Sequence, residues 1–271
     1  MASSTLQLHA DCDDLGDSGR PVLVLLHGFT GSGDSWRPVR EGLRGIGPTI
    51  AVDLAGHGAS PAPPEPGQYS MGACLDQLEA LMERLGVSGA WWVGYSMGGR
   101  VALQMAARKP ALVQGLVLVS ATAGLSDEVA RKARVAADEE LAGAILSGGM
   151  EAFVERWLSN PLFSGLRKLP PEQRAEQRRQ RLACNPLGLA NSLRGMGSGA
   201  MPPLWERLAG INVPALLLAG GEDAKFSALA AQLKAGLPRA TLRIIPGVNH
   251  LPHVEAPGAF LDAVNAFLRE L

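Results

Sequence analysis

The chain has 271 residues, 46% hydrophobic and 19% charged, too apolar and too evenly charged for a disordered protein. Its 25 basic and 26 acidic residues leave a net charge of −1, so no whole-chain field draws it to nucleic acid or an anionic membrane. Three widely spaced cysteines, Cys12, Cys74 and Cys184, make neither a disulfide framework nor a CxxC metal pair.

At the N-terminus, Asp11, Asp13 and Asp14 stand where a signal peptide would carry its apolar run. Short apolar runs then follow, each ending in a turn. Val22–Leu26 leads into HGFTG, and Ile50–Val52 ends at Asp53 and the loop LAGHGASPAPPEP. Ala90–Val93 ends at GYSMGG, and Leu116–Val119 ends at Ser120. Runs of Val, Leu and Ile without alternation suit strands buried on both faces of a parallel sheet. Helical patterns lie between them, over Met71–Leu85 and Ser96–Arg108. Strand–helix alternation predicts an α/β architecture with right-handed crossovers.

From about Ala121 to Trp205 the pattern is helical and polar, with no convincing strand. Alternation resumes with a strand at Ala215–Leu218, a helix at Ser227–Gly236, a strand at Thr241–Ile245 and a closing helix at Phe260–Leu271. The expectation is one sheet built from residues 1–120 and 206–271. A helical insertion, residues 121–205, would stand over the carboxyl ends of its strands, where ligands sit in open α/β sheets. No apolar stretch reaches the ~18 residues of a membrane span. A cytoplasmic protein, monomeric or a small homo-oligomer, is expected.

The sharpest chemical signal is Gly94-Tyr95-Ser96-Met97-Gly98, between a strand and a helix. That context defines a nucleophile elbow. Glycines flank the serine because the turn is too tight for side chains on both sides. The helix starting there offers unpaired N–H groups to developing negative charge.

Such a serine needs a base and an acid to orient it, each after a later strand. Asp223 in LLLAGGEDAKF and His250 in RIIPGVNHLPH meet that order. Glu222 is an alternative acid, and His253, His9 and His57 are alternative bases. The oxyanion hole would combine the Met97 N–H with one from HGFTG, the Phe29 N–H. No His/Cys/carboxylate cluster has metal-ligand spacing, and no cofactor or metal is expected.

HGFTG, DLAGHGAS, GYSMGG, GGED and GVNH, in this order, resemble the α/β-hydrolase fold family over essentially the whole chain. The resemblance implies a mostly parallel central sheet flanked by helices, with residues 121–205 matching that family's helical lid. Arg100, four residues after Ser96, lies one turn along the same helix face and suits a carboxylate substrate, unless that face is outward. Between residues 155 and 205, eight basic residues oppose three acidic ones. Most of these suit a solvated face.

GYSMGGRVAL, ERWLSNPLF and ANSLRGMGSGAMPPLWERL are more specific. They resemble the 2-succinyl-6-hydroxy-2,4-cyclohexadiene-1-carboxylate synthases (MenH) of menaquinone biosynthesis. That family implies a cofactor-independent lyase with a small polycarboxylate substrate, and Ser96, Asp223 and His250 as the triad. It also implies Tyr95 as a substrate contact, Arg100, Arg134 and Arg181 as carboxylate binders (Arg178 being the alternative to Arg181), and Trp157 as a pocket residue of the lid. A serine hydrolase (carboxylesterase or carbon–carbon bond hydrolase) would use the same triad. A non-catalytic receptor of this fold would need no intact triad.

Overall fold

The computed structural model describes residues 5–16 and 19–270. Seven strands form one sheet: β1 (Ala10–Cys12), β2 (Leu23–Leu26), β3 (Thr49–Val52), β4 (Ala90–Tyr95), β5 (Val113–Val119), β6 (Ala215–Gly220) and β7 (Ala240–Ile245). Their spatial order is β1-β3-β2-β4-β5-β6-β7. All neighbours are parallel except β1, which runs antiparallel to β3. The sequence patterns do not reveal β1. Three residues at a sheet edge carry too little periodicity to register.

The central strands explain their own composition. Along β2, Val24 and Leu26 enter one core, while Leu23 and Leu25 enter the other. Side chains alternate across a sheet, so a strand covered on both faces must be apolar at every position. The edge strand β7 is covered less completely and keeps Arg243 and Ile244 exposed.

Helix α1 (Arg37–Arg44) packs on one face. Helices α2 (Met71–Arg84) and α3 (Met97–Arg108) pack on the other. Between β5 and β6 the chain forms α4 (Glu128–Leu158), α5 (Pro171–Leu182) and α6 (Pro186–Met196). Side-chain caps set the starts of α4 and α6: Asp127 accepts from the Ala130 N–H at 2.7 Å, and Asn185 accepts from the Gly188 N–H at 3.0 Å. Helix α4 bends at Gly149, whose φ of 78° is left-handed. These helices share a small core of their own, with Ala142, Ile145, Phe153, Val154 and Leu189.

Helix α7 (Ala224–Gly236) joins β6 to β7, and the short α8 (Pro252–Glu255) precedes α9 (Pro257–Arg269), which lies beside α1. Helices α7 and α9 start earlier than the sequence reading places them. At α7 the reason is Asp223, which caps the helix from inside the acidic turn.

Candidate active site

Ser96 sits between β4 and α3 with φ 50° and ψ −103°. That left-handed backbone in a non-glycine residue is costly and is held only by its surroundings. The flanking glycines are a packing requirement. A Cβ on Gly94 would strike the Gly98 carbonyl, and one on Gly98 would strike the Leu26 carbonyl of β2. One turn therefore lies tightly against two strands, and its serine is held at the sheet's carboxyl edge.

The His250 Nε2 lies 3.4 Å from the Ser96 Oγ. Its Nδ1 lies 2.6 Å from the Asp223 Oδ2, and both members of that pair are buried. With Nδ1–H donating to the carboxylate, Nε2 is left free to accept from the serine. Asp223 is itself fixed. Its Oδ1 accepts from the Phe226 N–H at 3.1 Å, so the first turn of α7 holds one oxygen and His250 the other. The histidine's loop is braced by Glu255, whose two oxygens accept the N–H groups of Asn249 at 2.7 Å and Leu251 at 2.9 Å.

The rival residues are engaged elsewhere. Glu222 is exposed and pairs with Lys168 at 2.8 Å. His253 is fully buried between the rings of Trp36 and Tyr95. His9 pairs with Asp53 at 3.0 Å, and His57 bonds to the Ala55 carbonyl at 3.1 Å.

Ser96 and His250 open onto a cavity of about 580 Å³ whose lining includes Phe29, Tyr95, Met97, Arg100, Arg134 and Trp157. That is the size of a small-molecule site. Met97 is the first residue of α3, so its N–H has no intrahelical acceptor. Gly28 permits the second backbone approach, because a Cβ there would lie 2.6 Å from the Tyr95 ring. A larger groove of about 740 Å³ runs between β1 and α5 but includes neither Ser96 nor His250.

Two of the three arginines face this cavity. Arg100 is half-buried, and its Nη1 donates to the Met196 carbonyl at 2.6 Å. Burial, and secondarily the nearby Arg134, lower its pKa to about 10, which leaves it charged at neutral pH. Arg134 donates from Nε to the Asp138 Oδ1 at 2.9 Å. Arg181 is buried but outside the lining of this cavity, behind Tyr95 and Phe163. Trp157 is both packing and lining: its ring meets Phe29 at 5.4 Å and Phe163 at 5.4 Å.

A family model described as alpha/beta hydrolase fold matches residues 21–257. The chain belongs to the α/β-hydrolase fold family. This α/β-hydrolase-fold enzyme is 40% identical over 258 residues to a Bacillus subtilis (strain 168) protein, covering 95% of this chain and 94% of that one. The relative's name assigns it, provisionally, as a 2-succinyl-6-hydroxy-2,4-cyclohexadiene-1-carboxylate synthase. It is 31% identical to the protein of that name, without the proviso, from Serratia proteamaculans (strain 568), covering 93% of this chain and 95% of that one. A solved structure of MenH from S. aureus superposes with a TM-score of 0.92 at 32% identity, covering 97% of this chain and 98% of the other.

The cationic surplus between residues 155 and 205 of this hydrolase-fold chain is largely neutralised by acids outside that window. Arg178 pairs with Glu151, Arg194 with Glu139 at 2.6 Å, and Lys168 with Glu222. Arg178 is thereby a surface residue and not a pocket one. Sequence reasoning missed Asp138, Glu255 and Phe226, whose ring packs 4.4 Å from that of His250. Only Asp138 had a legible signal, as the i+4 neighbour of Arg134 on one helix. Among the described residues no helix is long and apolar enough to cross a membrane, and no group of three or more His, Cys, Asp or Glu is placed to hold a metal ion.

Proposed function

We propose that this enzyme is a cytoplasmic carbon–oxygen lyase. It eliminates pyruvate from 2-succinyl-5-enolpyruvyl-6-hydroxy-3-cyclohexene-1-carboxylate to give 2-succinyl-6-hydroxy-2,4-cyclohexadiene-1-carboxylate. The observation that carries this reading is one cavity that joins a Ser–His–Asp relay to the guanidinium groups of Arg100 and Arg134. An ester pocket has no need of two guanidinium groups in its lining, whereas a tricarboxylate does. The names of the similar proteins support the same reading.

Arg100 and Arg134 hold substrate carboxylates and fix the ring above Ser96, with Tyr95 and Trp157 against it. Ser96, its proton drawn by His250, takes the proton from the ring carbon bearing the succinyl group, and Asp223 stabilises the histidine cation. The electron pair moves through the ring double bond, and the bond to the enolpyruvyl oxygen breaks. The departing enolate gains a proton at carbon and leaves as pyruvate. The succinyl carbonyl oxygen carries the intermediate charge against the Phe29 and Met97 N–H groups, each worth about 3 kcal/mol at the barrier. Residues 121–205 act as the lid that closes this cavity.

Pyruvate release coupled to lactate dehydrogenase tests the reading. Ser96→Ala should lower kcat by about 10²–10⁴-fold, the usual range for a positioned base. Full turnover in that variant refutes the mechanism. Absence of pyruvate from the wild type, together with a burst from a p-nitrophenyl ester, assigns the triad to a hydrolase instead.

A further inference from the structure

His250 stands on a loop, and its contact with Ser96 is long for a hydrogen bond, 3.4 Å from Nε2 to Oγ. A small drift of that loop would part the base from the serine, so whatever holds the loop bears on catalysis. On one side the end of β6 lies against it: a Cβ on Gly220 would meet the carbonyl oxygens of Asn249 at 2.0 Å and Val248 at 2.3 Å. Within the loop's own stretch of chain, Glu255 takes the main-chain N–H groups of Asn249 and Leu251, on either side of His250.

A third support comes from the helical insertion. An eight-residue 3-10 segment, Pro161–Lys168, joins α4 to α5. The Asn249 side chain is buried, and its Nδ2 donates to the Ser164 Oγ at 2.6 Å and to the Pro161 carbonyl at 3.2 Å. An amide nitrogen carries two hydrogens, so both are committed to this segment. Lys168, at its end, donates to Glu222, the neighbour of Asp223, at 2.8 Å and to the Gly247 carbonyl at 3.2 Å. That ion pair is exposed and of small effect, whereas the loss of a buried partner is felt. Neither Asn249 nor Ser164 lines the catalytic cavity, but Phe163, beside Ser164, does. Its ring stands 6.3 Å from that of His250 and 5.4 Å from that of Trp157. The segment therefore meets the cavity through Phe163 and grips the base's loop through Ser164.

We propose that Asn249 is a positioning residue for His250, and that its bonds to Ser164 and Pro161 make the alignment of the base depend on the seating of the insertion. A substrate that fixes Phe163 and Trp157 in the cavity holds the segment down, and His250 with it. An unseated segment leaves the loop to Glu255 and β6 alone. This role rests on Ser96 and His250 being the reacting pair, as proposed above, and not on which bond they break.

Two assays keep those claims apart. A fluorophosphonate probes the pair without the natural substrate: the Ser96 oxygen bonds to phosphorus, fluoride leaves and His250 takes the serine proton. Asn249→Ala should slow this labelling, and lower kcat in the pyruvate assay, by about 10–100-fold. KM should stay within about twofold, because no residue of the cavity lining is changed. Ser164→Ala, which keeps the Pro161 bond, should lower both rates less, and it carries the test if Asn249→Ala does not fold. The double variant should match Asn249→Ala alone. Unchanged labelling in both single variants, a loss confined to KM, or additive losses in the double variant overturns the proposal. A wild type that is labelled but releases no pyruvate refutes the lyase reading alone, and the labelling rates then decide the role of Asn249. A wild type that resists labelling at Ser96 overturns both.

Discussion

Acid should destabilise this protein well above the carboxylate range, through three histidines locked in the neutral form. Burial lowers the pKa of His27 to about 4, of His57 to about 3 and of His253 to about 3. In the unfolded chain each returns to ~6.5. Between those limits the unfolded state binds protons that the native state refuses, so stability falls as pH falls from about 6.5 towards 4. Each group contributes up to ~1.4 kcal/mol per pH unit, or ~4 kcal/mol per unit for the three together. From pH 7.5 to pH 5 the loss is about 6 kcal/mol, comparable to the whole stability of many domains. That figure changes little whether a native pKa is 3 or 4, because at pH 5 the native ring is neutral either way. Asp13, held at about 2 by Arg44 and Thr49 against its burial, adds a loss only below its ordinary 3.8. The two effects therefore occupy separate windows. Urea unfolding at pH 7.5, 6.5, 5.5 and 5.0 measures the slope. His57→Gln should remove about a third of it. A slope below one proton over this range would refute the idea that these rings stay neutral in the native state.

Other consequences follow from the cavity and the elbow. Arg100→Gln should raise KM in the pyruvate assay by about 10–100-fold, the worth of one charge-assisted bond, with a smaller change in kcat. An unchanged KM removes Arg100 from substrate binding. Asp138→Asn should raise KM by less than Arg134→Gln, because it frees the guanidinium without deleting it. The double variant should be no worse than Arg134→Gln alone, and additive losses would show that Asp138 does not act through Arg134. Gly98→Ala should destabilise the fold by ~1–3 kcal/mol or more in urea unfolding, since its methyl would strike the backbone carbonyls of Leu26 and His27. A neutral effect would mean that the elbow is less tightly seated against β2.

The sheet and the triad were legible because each rests on short-range chemistry that the chain must spell out locally. An apolar run marks a strand covered on both faces. Glycines on both sides of Ser96 mark a turn with no room for a Cβ. Asp223 and His250 each follow a strand at the rim, where the fold delivers them to one point. β1 was invisible because pairing with β3 at an edge demands little of its side chains. The bend at Gly149 was equally silent, since the sequence marks the glycine but not the left-handed backbone it adopts.

The arginines show where such reading stops. Charge count and spacing treat Arg178 and Arg181 as near equivalents, three residues apart on α5. Yet one reaches Glu151 at the surface, while the other is buried against Phe163 with only Gln177 as acceptor. A guanidinium takes the nearest acceptor, and that acceptor is supplied by a different helix or loop. Its partner is thus decided by tertiary packing and not by the local pattern. Arg100 and Arg134 share a cavity with Ser96 because α3, α4 and α6 meet there, with the Met196 carbonyl and Asp138 holding the two side chains. The Ser96 hydroxyl is therefore specified by its own neighbours in sequence, whereas the charge proposed to select a substrate is specified by neighbours in space. Substrate selectivity in this protein should accordingly be easier to change at Asp138 than at any position in the elbow.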